Sequence, residues 1–283
     1  MNIRMLIALL TVSQLLFPKH AKAQEFTGYV VDSVENFPLS YVNIGVVGKN
    51  IGTVSDVNGN FKITLDPIYD SDTIRFSMVG YGTKAYLISN FRKLKLAQQS
   101  KIYLSPQPMV LREVVILSKN SLRQAVGTKP KSKLVNAGFI NNKLGHEIGS
   151  LFRNNNGELL IDSVRLNIVK CNYENVYLRL NVYEVLNDKM ENILKKPIYI
   201  TLTRQQALSN PVINLAEFGI TVDHNFLISV ELIKDLGEKG LYFYANINDE
   251  ANPGMYRLTS QGPWTFMKHK SKPVGISIMA YVH

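Results

Sequence analysis

One cysteine and one tryptophan, Cys171 and Trp264, occur in the 283 residues. A single thiol closes no internal disulfide, so stability must come from burial of apolar side chains. Cys171, in the run Ile168-Val169-Lys170-Cys171-Asn172, fits a small half-buried residue at a strand end better than a reactive thiol. Histidine is sparse too. No two of His146, His224, His269 and His283 stand at ligand spacing, so each is expected at the surface and no metal is assigned. No Gly-x-Ser-x-Gly elbow, phosphate loop or dinucleotide fingerprint occurs, which leaves no catalytic residue and no cofactor to assign. Long apolar runs are absent after Phe17, which excludes a later membrane-spanning helix.

The first apolar stretch, Met5 to Phe17, follows Arg4 and precedes Ala21-Lys22-Ala23. A positive start, a short apolar centre and a small-x-small end predict a cleaved export signal over residues 1–23. A mature chain beginning at Gln24 is then expected in the periplasm, at the outer membrane or outside the cell.

The formal charge of +10 is unevenly placed. Residues 118–145 hold six basic and no acidic residues, whereas 146–283 hold fourteen of each. The excess lies in the signal and in one connecting stretch. Neither folded region is basic, and nucleic acid is excluded as a partner.

Period-two alternation dominates the remainder. Phe61, Ile63 and Leu65 share one face of a strand over 60–65, and strands are also expected near 26–32, 41–47, 73–78 and 101–104. Asn58-Gly59 is a hairpin signal, because glycine and then asparagine adopt positive φ at least cost. Residues 118–145, rich in Lys, Ser, Asn and Gly, predict a basic linker, with room for one helical turn at Ser121 to Val126. Strands return over 146–283. There Val176, Leu178, Leu180 and Val182 are expected inward, and Tyr177, Arg179, Asn181 and Tyr183 outward. An all-β chain with a second, jelly-roll-like β-sandwich follows.

One ordered set of motifs goes further. Gly28-Tyr29-Val30-Val31-Asp32, Pro38-Leu39, Val42-Asn43-Ile44, Gly52 to Phe61 and Phe76-Ser77-Met78-Val79-Gly80-Tyr81 succeed one another. Together they resemble the carboxypeptidase-regulatory-like domain of gram-negative envelope proteins, over about residues 24–117. The resemblance implies a transthyretin-like, seven-stranded β-sandwich without catalysis of its own. Leu111-Arg112-Glu113-Val114-Val115-Ile116 is similar to the short segment after this domain in TonB-dependent receptors. The residues after Ile116 are too few for the plug and barrel of such a receptor. Leu111, Glu113, Val114, Val115 and Ile116 are therefore candidates for a strand added to a partner's sheet, beside the plainer reading of a last strand or linker start.

Two functions lead: a non-enzymatic envelope module that docks a protein partner, as in a surface transport or secretion assembly, and a carbohydrate-binding accessory protein. A hydrolase assembled from distant strands stays open as a third, since linear spacing does not reveal such a cleft. The second rests on late aromatics. Tyr242, Tyr244, Tyr256 and Trp264 are its candidate glycan contacts, since ring faces stack on sugar C–H faces, although aromatics in β proteins are more often core. The oligomeric state is not legible in this pattern.

Overall fold

Alternating burial along each strand builds two layered β units in the computed structural model, which describes residues 22–96, 101–107, 122–140, 142–155, 157–187 and 189–283. Among these residues the first unit has seven strands in two sheets. Asn60–Leu65, Gln24–Asp32 and Lys101–Leu104 form one; Gly52–Val54, Asn43–Val46, Thr73–Ser77 and Lys84–Leu87 form the other. The first sheet mixes directions, because Gln24–Asp32 runs antiparallel to Asn60–Leu65 and parallel to Lys101–Leu104. Phe26, Val30, Phe61, Ile63, Ile44 and Phe76 point between the sheets and are buried. A helix absent from the strand pattern, Ile88–Leu96, closes this core with Ile88 and Phe91.

Asp56 makes the hairpin turn before Phe61. Its Oδ1 accepts from the amides of Asn58 and Asn60, both at 2.8 Å. Gly59 then takes φ 75°, and a Cβ there would lie 2.6 Å from the Val30 carbonyl oxygen, so only glycine fits.

The second unit is a broad sheet covered by two smaller ones. The broad sheet runs Lys189–Asn192, Asn175–Leu186, Asn225–Leu232, Glu147–Phe152, Gly254–Arg257 and Thr265–Phe266, with Ile198–Thr203 also paired to Asn175–Leu186. Leu159–Leu166 and Ile278–Val282 centre one covering sheet, and Leu241–Ile247 centres the other. The chain passes between the covering sheets at Asn167 and Ser277, whose side chains meet at 3.0 Å. All three sheets feed one core containing Leu178, Leu180, Val230, Ile276 and Ile278.

Three expectations change here. The basic stretch is not a bare connector, because Gln124–Gly127 pairs with Ile278–Val282 and Asn136–Phe139 with Leu241–Ile247. Residues 124–127 are accordingly extended rather than a helical turn. Arg179, Asn181 and Tyr183 do point away from the apolar core, yet they are buried, because the first unit covers that face of the broad sheet. The export signal through Ala21 and the segment Leu111, Glu113, Val114, Val115 and Ile116 lie outside the described residues.

Candidate functional site

The face of the broad sheet turned toward the first unit carries a row of directly opposed residues, one from each of five strands. Tyr199 stands opposite Arg179, Arg179 opposite Glu231, Glu231 opposite Glu147, and Glu147 opposite Arg257. Two carboxylates side by side on adjacent strands repel each other. An arginine at each end of the pair compensates. Arg179 donates to Glu231 Oε2 from Nε at 3.0 Å and Nη2 at 2.8 Å, and Arg257 donates from Nε to Glu147 Oε2 at 2.7 Å.

The remaining valences are largely filled by the next row. Glu147 Oε1 accepts from Asn181 Nδ2 at 2.9 Å, the Tyr183 hydroxyl at 3.0 Å and Ser229 Oγ at 2.5 Å. Asn192 Nδ2 donates to Asn181 Oδ1 at 3.0 Å. Glu231 Oε1 is buried without a hydrogen-bond partner. Burial, partly offset by Arg179 and reinforced by Glu147, raises the Glu231 pKa above the ordinary carboxylate range. Burial also drives the Tyr183 hydroxyl well above its usual value. Burial alone would lower the Arg257 pKa, but the Glu147 carboxylate beside it raises it instead. Both carboxylates are fully buried and engaged by guanidinium groups, so neither is placed to exchange a proton with a substrate.

What the row does is hold the two units together. Arg179 Nη1 crosses to the Tyr41 carbonyl oxygen at 2.7 Å, and its Nη2 donates to Asn43 Oδ1. The rings of Tyr41 and Tyr199 pack 5.3 Å apart. Nearby, the Gly48 amide donates to the Gln261 carbonyl at 2.9 Å, and Gln261 Nε2 donates to Ser77 Oγ at 2.9 Å. Gly45 permits this approach, since a Cβ there would stand 3.1 Å from Gln261 Cβ and 2.9 Å from the Ile51 carbonyl oxygen.

Beside this junction opens a polar cleft of about 560 Å³. Arg75, Thr83 and Gln107 line it from the first unit; Glu191, Asn192 and Gln261 line it from the second. Among the described residues Arg75 has no hydrogen-bond or ion-pair partner for its guanidinium. The mouth therefore offers one unpaired cation, amides and hydroxyls above a fixed, charge-balanced floor. A second cavity of about 750 Å³ opens elsewhere along the junction, lined by Tyr29, Val57, Phe61 and Ile233 among others.

The proposed glycan contacts are not brought together. Trp264 is half-buried against a small cluster of the second unit with Leu227 and Met255, its ring 5.6 Å from that of Tyr183 and covered by the Arg257 guanidinium at 4.6 Å. Tyr256 leaves the opposite face of the same sheet region, packing on the main core. Tyr242 and Tyr244 lie half-buried on a covering sheet, alternating with the buried Leu241, Phe243 and Ala245. His146 is a correction: it is buried rather than at the surface, packs edge-on against Phe139 at 5.1 Å, and burial lowers its pKa to about 4. Glu184, Asp223 and His224 cluster closely enough to touch one cation, but Asp223 and His224 are exposed and already paired at 2.5 Å.

Sequence reasoning missed Glu147, Arg179, Glu231 and Arg257 as a unit. The available signal was a charge inside each of several strongly patterned strands, but their common row depends on register between strands distant in sequence.

Residues 26–116 match the model of the CarboxypepD_reg-like domain. Domains of this kind are regulatory rather than catalytic. No curated protein matches the chain. Among solved structures, the infectious bursal disease virus Gt strain is 7% identical over 91% of this chain and 62% of its own, with a TM-score of 0.10. The VP2 subviral particle of infectious bursal disease virus is 9% identical over 92% of this chain and 64% of its own, with a TM-score of 0.09. The chain thus spans less than two thirds of those proteins, and TM-scores of this size carry no argument about fold or function.

Proposed function

We propose that the chain is a non-enzymatic, exported interaction module of the cell envelope, which holds a segment of a protein partner in the cleft between its two β units. The single observation that carries this reading is the division of labour at the junction. The buried acids are consumed by Arg179 and Arg257, and Asn192 and Gln261 are held by Asn181 and Ser77. Arg75 and Gln107 remain at the mouth without side-chain partners among the described residues. Amides of this kind satisfy the donors and acceptors of an extended peptide backbone, and an unpaired guanidinium selects a carboxylate on it. A partner in a surface transport or secretion assembly would suit the regulatory domain matched over residues 26–116.

Glycan binding is the less favoured reading. Arg257 already lies over the Trp264 ring, and Tyr256 leaves the other side of the sheet, so these two give no shared stacking platform.

The test is capture of partners from crosslinked cell envelope by the tagged chain beginning at Gln24, compared with Arg75→Glu. Arg75 is half-buried at the mouth and outside the buried row, so the substitution leaves the fold intact. A reproducible envelope protein lost with Arg75→Glu supports the cleft. Equal capture by both proteins removes the cleft from the account, and retention of polysaccharide in place of any protein favours the glycan reading.

A further inference from the structure

Two lysine-bearing segments far apart in sequence meet at one end of the second unit. Lys129, Lys131 and Lys133 precede the strand Asn136–Phe139, and Lys268, Lys270 and Lys272 belong to the last hairpin. The end of the strand Leu241–Ile247 draws them together. On one side the Ala245 amide donates to the Val135 carbonyl at 3.0 Å, and Asn246 Nδ2 donates to the Lys129 carbonyl at 3.0 Å. Toward the hairpin, Ile247 pairs with Val274, and the Asn248 amide donates to the Pro273 carbonyl at 2.7 Å. All six lysines are exposed, and none has an ion-pair partner among the described residues.

Acidic groups are few here. Asp249 and Glu250 follow the strand, and Asp249 is occupied by the Thr128 hydroxyl at 2.8 Å and the Asn252 amide at 3.0 Å. The hairpin tip is also unusual. Lys268 pairs with Pro273 and His269 with Lys272, which leaves Lys270 and Ser271 as a two-residue turn at φ 46° and 67°. Such turns strongly prefer Asn-Gly, so this one places a lysine outward where local propensity argues against it.

Apolar side chains are exposed at the same end of the unit. Leu134 is 91% exposed, Phe266 46% and Ile247 41%. All three line one shallow depression of about 590 Å³, together with Lys268 and His269. Exposed apolar groups at an end that also carries six exposed lysines, Lys268 on the rim of the depression itself, suit an occupant that is negative at its surface and apolar just beneath.

We infer that this end of the second unit docks on an anionic lipid surface, with the lysines on headgroup phosphates and Leu134, Phe266 and Ile247 at the acyl boundary. Lysine stems suit that depth, since they lie along apolar surface while the ammonium stays with the phosphates. Leu134 and Ile247 are aliphatic, which fits an acyl boundary better than the face of a sugar ring. The inference is independent of the cleft, which lies on another part of the molecule.

The test is co-sedimentation of the chain beginning at Gln24 with vesicles containing about 30% phosphatidylglycerol, against pure phosphatidylcholine vesicles and a soluble polyanionic polysaccharide. Binding to the anionic vesicles alone is expected, weakening with added salt as exposed charges are screened. The triple variant Lys268→Glu, Lys270→Glu, Lys272→Glu should bind about tenfold or more weakly. Leu134→Ser should also weaken vesicle binding, while keeping its salt dependence. All altered side chains are exposed, so folding is not at stake. Equal binding to neutral vesicles, no vesicle binding, or binding to the polysaccharide alone would each overturn the inference. So would a Leu134→Ser protein that binds as the parent does, because purely electrostatic attachment gives the apolar groups no role.

Discussion

At the scale of single residues, Arg179 has the most to lose. It is fully buried, neutralises Glu231 and reaches the Tyr41 carbonyl in the other unit. Removing one partner of a buried pair strands the other charge, so Arg179→Ala should lower unfolding free energy by about 3–5 kcal/mol. Adding Glu231→Leu to that variant should recover part of the loss, and urea denaturation of the two proteins measures the difference. His146 gives a prediction in pH. Its folded pKa of about 4 lies below the unfolded value near 6.5, so only the unfolded chain takes up a proton between them. The stabilisation is complete above about pH 6.5 and is lost as pH falls toward 4, by roughly 3 kcal/mol in all. His146→Leu should flatten that part of the stability profile, as followed by thermal melts across the range. The alternation along Val176 to Tyr183 is plain in the sequence. What covers its polar face is not, because Tyr41 and Asn43 arrive from about 140 residues away.

Secondary elements differ in how far they can be foreseen, for a physical reason. Asn60–Leu65 is legible because its turn is local: Asp56, Asn58 and Gly59 fix it without help. Gln124–Gly127 and Asn136–Phe139 are not, because each is short and becomes a strand only beside partners more than a hundred residues on. The helix Ile88–Leu96 is hidden likewise, offering few apolar contacts among Arg92, Lys93 and Lys95. The hairpin tip at Lys270-Ser271 gives the prediction at this scale. Replacing these two with Asn-Gly should stabilise the protein by about 1–2 kcal/mol, since positive φ then costs little. A rise in melting temperature checks it. The same change should weaken vesicle binding by removing Lys270, a case in which function and local stability ask for different residues.

Across the whole molecule, the two β units behave as one body because the contact between them is made of groups that cannot be left unpaired. Arg179 completes its hydrogen bonding across the junction, beyond its bonds to Glu231. Gln261 is held by Gly48 and Ser77 of the other unit, and Gly45 lets the backbones close in. A loosely tethered pair would leave that charge row open to water and the cleft without a fixed shape. Differential scanning calorimetry on the chain beginning at Gln24 tests this most directly. One cooperative transition is predicted, with calorimetric and van't Hoff enthalpies agreeing, and Arg179→Ala should split it in two. Two separate transitions in the unaltered protein would contradict a fixed junction, and with it the cleft on which the proposed function depends.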